Sequence, residues 1–151
     1  MDAHNLAMLV SLATAARDAA AASRVQAQRQ LDAARAQLDV LHGYARDYAR
    51  RAQDQLAAGC DRMAQTNARA FGGRLEEAVA AQLRELQSRE AQFTRADEHW
   101  RELASKVQRL QLLAERREQS ERERTQRREQ KTTDEIARVL ALRRASMNAD
   151  S

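Results

Sequence analysis

The sequence predicts an all-α fold, a long two-helix antiparallel coiled-coil hairpin with a C-terminal helical overhang. Three observations lead there. No proline occurs in the 151 residues and glycine stands only at Gly43, Gly59, Gly72 and Gly73, so a compact fold with many turns lacks its punctuation. Aromatic residues are 3% of the chain and much of the 43% hydrophobic fraction is alanine, too little bulk for a globular core. Apolar residues recur at heptad spacing through the second half.

Helix 1 is expected over about residues 5–58. An alanine-rich stretch containing Leu6, Leu9, Ala13, Ala16, Ala20 and Ala27 leads into Leu31, Ala34, Leu38, Leu41, Ala45, Tyr48 and Ala52, with a slip in spacing near Ala27 that reads as a stutter. The segment LAAGCDRM then marks a turn at about 59–61, where Gly59 supplies a left-handed C-cap to the first helix and Asp61 an N-cap to the second. Helix 2 is expected over about 62–145. Its seam runs through Val79, Leu86, Phe93, Trp100, Val107 and Ala114, with Leu75, Ala96, Leu103 and Leu110 at the companion position and Gln82 and Arg89 interrupting it.

A hairpin turning near residue 60 pairs positions whose numbers add to about 120. Trp100 then falls opposite Ala20, Phe93 opposite Ala27 and Val107 opposite Ala13, so bulky residues of one helix meet small residues of the other. Helix 1 runs out near its own start, which leaves helix 2 unpaired beyond about residue 115. The stretch from Glu115 to Glu135 contains no aliphatic, aromatic or sulfur-bearing side chain and is expected to stay helical by propensity and by i to i+4 Glu and Arg pairs. Ile136, Val139, Leu140 and Leu142 restore a short apolar stripe without a partner in the chain. Either the tail is simply solvated helix or a partner covers it from outside. The whole chain, 1–151, reads as one coiled-coil domain.

The net charge of +4 and the 24 arginines against two lysines raise the possibility of a nucleic-acid binder, since arginine is a good bidentate phosphate ligand. The charge is evenly mixed, however. Residues 1–58 hold 7 basic and 6 acidic groups, 59–114 hold 9 and 8, and 115–135 hold 7 and 7, so no segment presents the one-signed field that tracks a phosphate backbone. The expectation is no nucleic acid. Cys60 is the lone cysteine, which excludes an internal disulfide and a CxxC metal pair and fits a reducing compartment. The apolar patch from Leu6 to Ala16 reads as too short for a bilayer, and no Lys or Arg precedes it as in a secretory signal, so a cytoplasmic chain is expected.

No Walker A loop, HExxH or paired-glycine fingerprint occurs. His4, His42 and His99 have no His or Cys three or four residues away, so neither a metal site nor any cofactor is expected. Glu76 with Glu77, and Glu121 with Glu123, read as solvated helix charges. The chain is therefore not expected to be an enzyme.

The segment YARDYARRAQDQLAAGCDRMAQTNARAFGGRLEEAVA, residues 44–80, resembles the FliJ family of flagellar type III export proteins, with two tyrosines four apart, a turn glycine, then Phe and Leu four apart. Tyr44, Tyr48, Gly59, Phe71 and Leu75 fit that pattern. HWRELASKVQRLQLLAERRE and EQKTTDEIA are similar to the family's tryptophan-plus-arginine stretch and its closing charged element. The resemblance implies a central-stalk-like coiled coil. It implies as partners the hexameric export ATPase FliI, its regulator FliH, the cytoplasmic domain of the export gate FlhA, and export chaperones, at the cytoplasmic face of the membrane at the flagellar base. It further implies that Phe71 and Leu75, with Tyr44, Tyr48, Gln37, Leu41 and Ala78, face the gate; Gln82 stands where a family histidine is often seen. In that picture the open end faces the ATPase ring through Leu6, Leu9, Ile136, Val139 and Leu140. The related stalk of an injectisome, a basic coiled-coil nucleic-acid binder and a structural homodimer are the other readings.

Overall fold

In the computed structural model, residues 2–59 and 61–150 are described, and they form two helices and no strand. α1 is Ala3–Ala58 and α2 is Arg62–Ala149, packed against each other as an antiparallel pair. Their contacts fall into two units, one of Met1–Thr14 with Ser105–Ser151 and one of Ala15–Ala104.

The turn forms as its residues predict. Gly59 has φ +78°, in the left-handed region where glycine carries no Cβ penalty, and its N–H donates to the Leu56 carbonyl at 3.3 Å. The Asp61 carboxylate accepts from the Ala64 N–H at 2.7 Å, an N-cap bond to the third residue of α2. Cys60 lies outside the described residues.

The face that α1 buries corrects the sequence reading. Leu6, Ala13, Ala20, Ala27, Ala34, Leu41 and Tyr48 recur every seven residues, and Val10, Arg17, Arg24, Leu31, Leu38, Ala45 and Ala52 form the companion series; all are buried or half-buried. There is no stutter. Arg17 and Arg24 hold companion positions and hide the continuity from a search for apolar residues, whereas Leu9 and Ala16 lie outside the seam and are exposed.

In the Ala15–Ala104 unit the predicted pairing holds, since the numbers in each cross-helix contact add to about 120. Gln82 donates to the Ala34 carbonyl at 3.1 Å, and Arg89 donates to the Gln30 side-chain oxygen at 2.9 Å. The two residues that interrupt the apolar series are thus satisfied across the seam, which fixes which residues stand opposite one another. Arg24 completes this polar layer. Its guanidinium lies 4.8 Å from the centre of the Trp100 ring and 6.0 Å from that of Phe93, in the space that Ala20 and Ala27 leave one turn to either side. Its Nε approaches Asp97 Oδ1 at 2.7 Å, an ion-pair distance whose geometry is not aligned as a hydrogen bond, and Arg101 holds the other Asp97 oxygen at 2.9 Å. The two large rings therefore meet an arginine, which the bulky-to-small pairing did not include.

In the other unit Val107 is 1% exposed and is the most enclosed residue of α2, with Ala13 and Leu6 buried on α1. Cover ends where expected. Ala114 and Arg117 are the last half-buried residues of α2, and every position from Glu118 to Asp150 is exposed although the helix continues to Ala149. Ion pairs contribute less to that segment than predicted. Arg122 with Glu118 at 2.6 Å is the i to i+4 pair found there among the described residues, both partners well exposed. Gln130 reaches Asp134 at 3.1 Å, and the hydroxyls of Thr125, Thr132 and Thr133 donate back to carbonyls four residues earlier.

One further correction concerns the apolar amino-terminal half of α1. The alanines beyond Ala16 extend it, so that an 18-residue window reaches a mean hydropathy of 1.2, long and apolar enough to cross a membrane by length and composition.

The glycines give a stability prediction. A Cβ at Gly43 or Gly73 would meet nothing within 4 Å, so replacing either with alanine is expected to stabilise by about 0.5–1 kcal/mol through helix propensity alone. Gly59→Ala should destabilise by roughly 1 kcal/mol because of its positive φ. Urea unfolding monitored by circular dichroism reads all three, and a loss of stability in Gly73→Ala would refute the open-space assignment.

Candidate functional site

Near the turn, two stripes of the sequence-predicted residues lie on the paired helices. On α1 the series Gln37, Leu41, Tyr44, Tyr48 advances by four, three and four residues, and on α2 Phe71, Leu75, Ala78, Gln82 does the same, so each series keeps to one side of its helix. The pairing of α1 and α2 supports both stripes on a common scaffold. Within them the side chains divide by depth. Tyr44 is 61% and Phe71 51% exposed, Gln37 is also exposed, and Leu41, Tyr48, Leu75 and Ala78 are half-buried.

Tyr48 is the residue that joins the helices here. Its ring lies 5.1 Å from the Phe71 ring, centre to centre, at a tilt of 51°, within the range favoured by aromatic pairs. Its hydroxyl donates to the Ala68 carbonyl of α2. Leu75 lines a groove of about 420 Å³ together with Tyr48 and His42. The structure thus brings Tyr48 and Phe71 together as predicted, with Leu75 and Tyr48 on one groove. Gln82 is turned into the seam through its bond to Ala34.

Two features of this site escaped sequence reasoning, Gly72 and the Ala68 carbonyl. Both are backbone surfaces against the Tyr48 ring, and the one available signal was a pair of glycines inside a helix.

Among the described residues no group of three or more His, Cys, Asp or Glu is placed to hold a metal ion. What the geometry offers is exposed aromatic area held by a paired scaffold, the type of surface that anchors protein interfaces.

The family model for the Flagellar FliJ protein matches residues 1–146. The chain belongs to the FliJ family. No curated protein and no solved structure matches it. As a FliJ family member it is a flagellar export-related protein, and its all-helical pair is the fold that the resemblance implied.

For this FliJ family chain, the residues expected at the open end separate into two groups. Leu6 is 3% exposed and packs in the seam, so it offers no surface, while Leu9, Ile136, Val139 and Leu140 are open to solvent. Around Leu6 the groove walls are Leu113, Arg116, Arg117, Glu121 and Arg124, a mixed-charge lining.

Proposed function

We propose that this FliJ family chain is a non-enzymatic stalk of the flagellar type III export apparatus. It couples the export ATPase FliI, with its regulator FliH, to the cytoplasmic domain of the gate FlhA, and it escorts export chaperones. Nucleotide hydrolysis belongs to the ATPase. The observation that carries this reading is the turn-end cluster, in which Tyr44 and Phe71 stand exposed on a scaffold fixed by Tyr48 and Leu75. Exposed aromatics that are rigidly supported lose little entropy on docking and so make good anchors. The ATPase end of the reading draws on the exposed residues of the overhang, whose charges are mixed and suit a polar channel.

The proposed location is cytoplasmic, peripheral at the membrane of the flagellar base. The apolar window of α1 supports that location better than a span. Ala13 and Ala20 of that stretch are buried in the seam, and just beyond it Arg24 pairs with Asp97 of α2, which Arg101 also holds. Insertion into lipid would strip that seam and take the arginines out of water.

The test is calorimetric titration of the FlhA cytoplasmic domain into the wild type and a Phe71→Ala, Leu75→Ala double variant. Wild type is expected to bind and the double variant to lose at least tenfold in affinity while circular dichroism shows unchanged helicity. Equal binding by both proteins would return Phe71 and Leu75 to a packing role, and no binding by the wild type would remove the gate as a partner.

A further inference from the structure

We infer that Gly72 is a positioning residue for the exposed Phe71 ring, acting through Tyr48. Glycine inside a helix costs about 1 kcal/mol relative to alanine, so each helical glycine is worth testing for a contact that a side chain would spoil. Gly72 and Gly73 are adjacent in α2 and differ in that respect. A Cβ at Gly73 would meet nothing within 4 Å, whereas one at Gly72 would stand 3.2 Å from Tyr48 Cε1, 3.7 Å from its hydroxyl oxygen and 3.8 Å from Cζ. The Tyr48 ring therefore lies directly on the α2 backbone at Gly72.

The ring is held there through its hydroxyl. Its hydroxyl donates to the carbonyl of Ala68, one helical turn before Gly72. A Cβ at residue 72 would push on the ring edge that carries both Cε1 and the hydroxyl, so the ring must give by a few tenths of an ångström against this bond. The residue next to Gly72 is Phe71, whose half-exposed ring packs at 5.1 Å on Tyr48. Displacing Tyr48 withdraws the wall that selects the Phe71 rotamer, and the anchor must then be ordered at the expense of binding. Gly72 touches no partner in this scheme. It fixes the height of Tyr48 above α2, and Tyr48 fixes Phe71.

This inference rests on the reading that Phe71 faces the gate, and the experiment separates the two. Full-length wild type, Gly72→Ala, Gly73→Ala, Tyr48→Ala and the Gly72→Ala, Tyr48→Ala double variant are titrated with the FlhA cytoplasmic domain. The Tyr48 and Phe71 ring resonances of each free protein are recorded by NMR. Gly72→Ala is expected to shift those resonances and to weaken binding roughly tenfold, with helicity equal to or above that of wild type. Gly73→Ala, which gains the same helix propensity, should leave both readouts at the wild-type values. In the Tyr48→Ala background, adding Gly72→Ala should change affinity by less than about twofold, the non-additivity expected of residues that act in series. Wild-type binding with an unaffected Gly72→Ala variant, or equal losses from Gly72→Ala with and without Tyr48, would overturn the positioning role while leaving the gate assignment standing. Absence of wild-type binding would overturn both.

Discussion

Leu31→Ala is expected to destabilise the protein by about 2–3 kcal/mol, while Ile136→Ala changes stability by less than about 0.5 kcal/mol. Both are large aliphatic residues on long helices, and composition does not distinguish them. Leu31 is 3% exposed in the α1 seam, where alanine removes buried methyl groups and leaves a gap between two helices that the polar contacts of Gln30 and Gln82 keep in place. The seam of a two-helix pair is open to water at its flanks and partly relaxes, which sets the effect at the lower end of the range for buried leucines. Ile136 is 57% exposed on a segment with no cover, so its loss removes nothing that folding buried. Thermal and urea unfolding of both variants check this. A comparable loss for Ile136→Ala would mean that the overhang is packed in the free protein.

The second large effect is on activity and leaves stability alone. On the proposed role as a stalk of the export ATPase, replacing Ile136, Val139 and Leu140 together with serine is expected to abolish stimulation of that ATPase, a loss of at least tenfold, with unfolding midpoints unchanged. All three are exposed, and no described residue beyond Arg117 is buried or half-buried, so the folded chain does not depend on them. An uncovered apolar stripe after a long polar helix is a cost in water unless a partner covers it. Serine weakens helix propensity only modestly, so retained helicity is itself part of the expected result. Full stimulation by the triple variant would separate the stripe from the ATPase and leave the overhang as solvated helix.

Much of this architecture was legible in the sequence for a simple reason, that a two-helix coiled coil is specified almost locally. The heptad from Val79 to Ala114, Gly59 and Asp61 at the turn, and the loss of apolar residues after Ala114 each report their own position, and the structure agrees with them closely. The candidate site was legible in part. Phe71 and Tyr48 meet because the pairing rule near 120 puts them side by side, whereas the role of Gly72 depends on a ring arriving from the other helix. The apparent stutter near Ala27 arose from treating arginine as excluded from a seam. Arg24 is admitted there because its stem is apolar and its charged head finds Asp97 and the faces of Trp100 and Phe93.

By itself the sequence determined two long helices, their turn, the pairing of bulky with small residues and the point where pairing stops, because each depends on periodicity, capping or the presence of a side chain at a given position. The tertiary structure decided which polar residues enter the seam, that Leu6 is core while Leu9 is surface, and that the Tyr48 ring lies on the backbone of Gly72. Those outcomes turn on distances of a few ångströms between residues far apart in the chain, and a side chain's neighbours across a helix pair are set only once the two helices have met.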